Sequence, residues 1–387
     1  MSLNGSAYIV GAYEHPIRKA DHLSVVRLHA DVAKGALDDA GLSKDDIDGY
    51  FCAGDAPGLG TTTIVEYLGL KPRHVDSTEC GGSAPILHVA HAAEAIAAGR
   101  CNIALITLAG RPRAAGAALS LKAPDPDAPE VAFEFPFGPT TVNLYGMVAK
   151  RHMYEFGTTS EQLAWIKVAA SHHAQYNSNA MLRNIVTVDD VINSPIVSDP
   201  LHRLDCCVVS DGGGALIVAK PEIAMQIKRP LVKVRGTGEA PKHGMGGKID
   251  LTYSAAVWSG PRAFAEAGVA PKDIKYASLY DSFTITVLMQ LEDLGFCKKG
   301  EGGKFVQEGG LISGIGRLPF NTDGGGLCNN HPANRGGITK IIEAVRQLRE
   351  EANPGVQVKN CDLALVNGIG GALASRHTSG TLVLERV

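Results

Sequence analysis

Apolar residues recur along this chain in two patterns. Short, nearly continuous apolar runs bounded by turn residues read as buried strands: "CNIALITLAG" (101–110), "GALIVAK" (214–220), "YASLY" (276–280) and "CDLALVNGIG" (361–370). Longer mixed stretches read as helices: "ILHVAHAAEAIAAG" (86–99), "TVNLYGMVAKRHMYEF" (141–156), "SEQLAWIKVAASHHAQYN" (160–177) and "GITKIIEAVRQLRE" (337–350). Helices alternating with buried strands predict an α/β fold with helices packed on sheets.

The pattern also repeats. "ALDDAGLSKDDIDGYF" (36–51) resembles "AFAEAGVAPKDIKYAS" (263–278), with Gly41 and Gly268, Asp46 and Asp273, and Ile47 and Ile274 at one offset of 227. Each copy predicts a helix stopped by glycine, a short turn and a strand. The strands at Cys101 and Cys361 match at an offset of 260, each behind a helix. Two matches in the same order predict two duplicated halves, 1–226 and 227–387. Residues 111–200 interrupt the first half with a proline-rich stretch and two helices, and are expected to form an inserted loop domain near a binding site.

Composition narrows the class. The chain has 387 residues, 45% hydrophobic, with net charge −3 and no basic tract, which argues against a nucleic-acid partner. No apolar stretch approaches 18 residues, and the first residues lack the pattern of a signal peptide, so no membrane span is expected. The eight cysteines show no C-x-x-C spacing, which argues against a zinc site or disulfide framework and points to a reducing cytoplasm.

One cysteine has a distinctive setting. In "STECGGSAP" (77–85), Cys80 precedes Gly81, Gly82 and Ser83 at the mouth of a predicted helix. Unpaired N–H groups there favour a thiolate, and small neighbours let a substrate approach. Packing is the competing reading, since free cysteines are commonly buried. The duplication pairs this loop with "GGGLCNNHPANRGGITKII", and equivalent loops of a pseudo-symmetric fold face each other. That predicts His331 near Cys80, a workable nucleophile and base.

These segments resemble the thiolase superfamily over essentially the whole chain, and within it the sterol-carrier-protein thiolases and their bacterial relatives. "ECGGSAPILHVAHAAEAIAAG" stands where the family has its nucleophile segment, and "CCVVSDGGGALIVA" matches a cysteine-pair segment of this branch. "YDSF" stands for His-Asp-Cys-Phe, "CNNHPANRGG" for Gly-His-Pro and "NGIGGAL" for the C-terminal Gly-x-Gly-Gly. The resemblance implies a five-layered αβαβα core and an enzyme making or breaking a carbon–carbon bond in an acyl-CoA. Cys80 would be the nucleophile, with His331 activating it. The N–H groups of Cys80 and Gly370 would form an oxyanion hole. Coenzyme A, a substrate rather than a resident cofactor, would lie along the insertion and the 206–212 turn, at Cys207, Ser210 and Gly212. Homodimerisation and a separate OB-fold/zinc-ribbon partner are further implications.

The departures are informative. Gly368 and Ser282 stand where family members carry cysteine bases, so the second acid or base must be another group. Tyr280, its neighbour Asp281 and Cys328 are the candidates, although Cys328 also reads as a small core residue. Tyr280 leans towards retro-aldol cleavage of a β-hydroxyacyl-CoA, a chemistry known in this branch, whereas Cys80 and His331 lean towards thiolysis. A catalytically degenerate scaffold is the third reading. "FEFPF" (133–137) is apolar enough for a bulky acyl group or for packing.

Overall fold

The computed structural model describes residues 3–53, 56–116, 126–242, 249–373 and 376–387. Residues 121–125 of the proline-rich stretch lie outside them. The strands are β1 (Tyr8–Glu14), β2 (Gly49–Phe51), β3 (His74–Asp76), β4 (Ile103–Gly110), β5 (Ile196–Ser198), β6 (Leu201–His202), β7 (Gly212–Ala219), β8 (Val232–Lys242), β9 (Tyr276–Leu279), β10 (Leu363–Gly371) and β11 (His377–Arg386). Nine of them form one sheet in the order β3-β2-β4-β7-β1-β8-β11-β10-β9, and β5 pairs with β6 apart from it.

The duplication is plain in this order. In β2-β4-β7-β1 the first pair is parallel and the next two antiparallel, and β9-β10-β11-β8 repeats the same directions. Within the sheet, β1 and β8 bring the halves together at Tyr8↔Lys233 and Ile9↔Val232. The matched glycines do what the repeat predicts. Gly41 (φ 67°) and Gly268 (φ 65°) are left-handed caps of the helices Val25–Ala40 and Ala256–Ala267. The following N–H groups of Leu42 and Val269 reach back to Leu37 and Phe264 carbonyls, which closes each helix end.

Strand alternation sorts the core into layers. Ala104, Ile106, Leu216 and Val218 of the first half and Val366, Leu382 and Leu384 of the second face inward. There they pack with the helices Ala84–Ala97 and Gly337–Leu348. Leu105 and Ile217 face outward onto Val25–Ala40, and Leu365 and Val383 face the outer helices of the second half. The result is an αβαβα sandwich whose central helices both begin at the candidate loops.

The insertion behaves differently from its place in the sequence. Its helices Thr141–Phe156 and Ser160–Ala174, capped by Thr140 and Thr159, arise in the first half. Their apolar residues Val142, Tyr145, Val148, Leu163 and Ile166 pack with Leu279, Phe283, Ile285 and Leu288 of the second. Asp211, at the start of the Asp-Gly turn, accepts N–H bonds from Ala20, Arg113 and Ala114 and so ties down the beginning of the insertion.

Candidate active site

The two matched loops do meet, and glycine makes the meeting possible. A Cβ on Gly82 would lie 2.4 Å from both the Tyr280 ring and the Ile369 carbonyl, and one on Gly337 would lie 2.1 Å from the Gly82 carbonyl. Around this junction is a cavity of about 240 Å³. Gly82, Ile369 and Gly371 line it together with Cys207 and Ser282, and Tyr145, Tyr280, Phe283 and His331 contribute rings. The lining does not include Cys80.

His331 is held from several sides. Its N–H donates to Ser210 Oγ at 2.9 Å, and that hydroxyl donates to Asn330 at 2.6 Å. Its ring meets Tyr280 edge to face with centroids 5.5 Å apart, and Gly326 leaves room for its Cδ2 edge. Nε2 is buried with no hydrogen-bond partner in the structure. Burial lowers its pKa to about 4, opposed by Asp281 and reinforced by Lys340, so the imidazole is neutral near pH 7.

Asp281 lies beneath. Its carboxylate is fully buried and accepts from the N–H groups of Gly326 (2.8 Å) and Leu327 (3.1 Å). A Cβ on Gly325 would fall 2.1 Å from Oδ2, so the glycine run lets the loop close over this carboxylate. Lys340 Nζ is 2.6 Å from Oδ1.

Tyr280 follows β9, and its hydroxyl donates to the Ala333 carbonyl at 3.3 Å. Burial raises its pKa well above 10, and Cys207, Tyr145 and Asp281 act the same way. It is therefore a phenol that can donate a proton or hydrogen bond, not a ready base. Tyr145, on the first turns of the inserted helix, brings a second phenol, raised to about 12 by burial. Nothing in the sequence distinguishes it from a packing tyrosine; only the fold of the insertion onto the second half brings it here.

Cys80 takes another direction. A 3₁₀ turn, Gly81–Ser83, separates it from the helix Ala84–Ala97, so it is not at that helix's first turn. Its Sγ accepts from Ser83 Oγ at 3.3 Å, and that hydroxyl also contacts Thr378 at 2.6 Å. Burial raises its pKa; Ser83 and Thr378 oppose this, while Glu79 and Glu239 reinforce it. The expected thiolate-favouring setting is thus reversed. The loops of Cys80 and His331 meet through Gly82, not through the thiol.

The remaining candidates are placed as follows. Gly370 packs so closely on Cys80 that a Cβ would sit 1.6 Å from the Cys80 carbonyl. Its own carbonyl faces His377 Nδ1 at 2.9 Å. Cys328 is fully buried in the core, apart from the cavity lining. Of the expected coenzyme A contacts, Cys207 lines the cavity, whereas Ser210 and Gly212 are buried. Ser210 spends its hydroxyl on the His331 loop, and Gly212 (φ 125°) makes the turn into β7. Phe133 and Phe137 are exposed rather than packed, beside an apolar hollow with Met147, Ile249 and Leu251.

Comparison with known proteins agrees with this architecture. The family described as "Thiolase C-terminal domain-like" matches residues 237–386. An acetyl-CoA acetyltransferase of Methanothermobacter thermautotrophicus is 33% identical over 350 residues, covering 87% of this chain and 89% of that protein. Sterol carrier protein 2 of Bos taurus is 31% identical over 248 residues, 61% of this chain and 45% of its own length. The solved structure of the Ltp2-ChsH2(DUF35) aldolase superposes with a TM-score of 0.90 at 31% identity, covering 100% of this chain and 99% of the other. With the duplicated halves, the paired loops and these relatives in agreement, the chain belongs to the thiolase superfamily, in the branch of the sterol-carrier-protein thiolases.

Proposed function

We infer that this enzyme makes or breaks a carbon–carbon bond beside a coenzyme A thioester, and that it does so by retro-aldol cleavage of a β-hydroxyacyl-CoA. One observation carries the choice: the cavity is lined by Tyr280 and His331, with the Cys80 thiol turned to Ser83. The similarity to a thiolase-fold aldolase supports it. In the proposed step, His331 Nε2 takes the β-hydroxyl proton and the Cα–Cβ bond breaks. The electron pair passes to the thioester as an enolate, and Tyr280 protonates Cα. The phenolate recovers the proton from His331, so a carbonyl compound and a shortened acyl-CoA leave with nothing oxidised or consumed.

Thiolysis through Cys80 is the second reading. It is supported by the half-buried Cys80, whose backbone packs against Gly370, and by similarity to an acetyltransferase. A panel of acyl-CoAs separates the two. Retro-aldol chemistry consumes β-hydroxyacyl-CoA without free coenzyme A. Consumption of β-ketoacyl-CoA alone, dependent on coenzyme A and passing through an acyl-Cys80 adduct, would replace it with thiolysis.

A homodimer is also part of the proposal. β3 is the terminal strand of the sheet and exposes Val75 (52%), so a second copy can extend the sheet there. A separate OB-fold/zinc-ribbon protein is proposed as a further partner, by similarity to the structure that joins Ltp2 to ChsH2(DUF35). Eight free cysteines fit a reducing cytoplasm. No helix among the described residues is long and apolar enough to cross a membrane.

A further inference from the structure

We propose that Lys340 is a positioning residue of this site: its ammonium fixes the buried Asp281 carboxylate and cancels that charge at His331, leaving the imidazole neutral for proton transfer. The inference rests on the proposed role of His331.

The geometry begins with the helix Gly337–Leu348, whose amphipathic pattern reads Lys340 as an ordinary lysine. It is instead 2% exposed, with Nζ 2.6 Å from an Asp281 carboxylate that is 0% exposed. An isolated buried charge of either sign is costly, so each depends on the other. Asp281 also accepts the N–H groups of Gly326 and Leu327, on the loop that leads to His331. Lys340 sits on the helix that follows that loop. The pair therefore clamps the loop from beneath, and its two charges act on His331 with opposite signs.

The wider surroundings are consistent. Burial disfavours the Lys340 charge, but Asp281, Asp323 and Glu14 outweigh it and hold the pKa above that of an ordinary lysine. Tyr280 lies against the His331 ring, Cys207 faces the cavity from the 206–212 turn, and Arg335 acts on Tyr280 from the 333–336 turn. Near pH 7 both Tyr280 and Cys207 are uncharged, since burial raises each. Lys340 is the cation that opposes Asp281 at the imidazole.

The test follows His331 directly. With nitrogen-15-labelled histidine, its resonance is assigned by its loss in His331→Gln and titrated in the wild type, Lys340→Gln, Lys340→Met and Lys340→Arg. Glutamine keeps a donor for Asp281 and is the milder change. The protonation midpoint should stay near the wild-type value in Lys340→Arg. It should rise by roughly 1–3 pH units in Lys340→Gln and Lys340→Met, the effect of an uncompensated carboxylate nearby. The acid limb of kcat/KM should rise with it. An unmoved midpoint in both neutral variants overturns the proposal, and so does failure of both to fold, which would make Lys340 purely structural. A moved midpoint with an unmoved rate profile upholds the electrostatic contact and removes His331 from the chemistry, so the two readings fail separately.

Discussion

Gly82→Ala places one methyl group at the junction of the two loops, and its consequences can be worked out from the packing. The new Cβ would lie 2.4 Å from the Ile369 carbonyl oxygen and 2.4 Å from Cε2 and Cζ of Tyr280, where ordinary contact begins near 3.4 Å. About 1 Å must be recovered on each side. Ile369 belongs to β10, in register with Ser379 of β11, and has little freedom to retreat. Tyr280 must move instead, which disturbs its contacts with Ala333 and His331. Overpacking of this kind costs about 1–3 kcal/mol. With an unfolding entropy of roughly 2.1 cal/mol/K per residue, a chain of this length loses only about 1–4 °C in Tm. Turnover should suffer more, because a misplacement of about 1 Å at a reacting group costs on the order of 10²-fold. The control is Gly380→Ala, whose Cβ meets Leu87 Cδ1 at 2.5 Å, the end of a flexible side chain, and Ile86 Cγ2 at 2.8 Å and Cβ at 3.1 Å, so it overpacks a site away from Tyr280. Calorimetry gives the two Tm values, and initial rates on the best acyl-CoA give turnover. Wild-type turnover in folded Gly82→Ala, or an equal loss in Gly380→Ala, would refute the placement of Tyr280 in the chemistry.

Further outcomes follow from the charges. With its pKa raised by burial, Cys80 should react with iodoacetamide at pH 8 more slowly than a free cysteine, at a rate His331→Gln leaves unchanged; a rate at or above that of a free cysteine, or one that falls in His331→Gln, would contradict this. His91 lies between Asp76 (2.8 Å) and Glu239 (3.1 Å), and hydrogen bonds to these two, Asp76 first, raise its pKa to about 10. Its stabilisation is fully present below the unfolded value near 6.5 and is lost as pH rises through 10. The Tm deficit of His91→Gln should therefore be largest near pH 6.5 and shrink towards pH 10; a deficit independent of pH would contradict the pairing.

Much of the fold was legible because duplication leaves marks that local physics enforces. Gly41 and Gly268 are both left-handed helix caps, and strand residues at an offset of 260, such as Leu105 and Leu365, both face outward. The meeting of the loops around His331 was legible for the same reason. The partner of the insertion was not, since an apolar helix stripe reveals burial but not what covers it. The direction of the Cys80 thiol depends on the turn at Gly81 (φ 70°) and on Ser83 and Thr378, the latter 298 residues away. Lys340 was hidden because its partner, Asp281, is brought to it only by the packed fold. Ser210 was placed on coenzyme A by the resemblance alone, whereas here its hydroxyl supports the His331 loop.

The central claim is that the phenol of Tyr280, not the thiol of Cys80, does the chemistry. Initial rates of wild type, Tyr280→Phe and Cys80→Ala on one β-hydroxyacyl-CoA test it most directly, with the carbonyl product and shortened acyl-CoA quantified by mass spectrometry. Tyr280→Phe should lower turnover by about 10²–10⁴, the usual weight of general acid–base catalysis, while Cys80→Ala stays close to wild type. Loss of turnover in Cys80→Ala with a mild effect in Tyr280→Phe would contradict the account and return the chemistry to the cysteine.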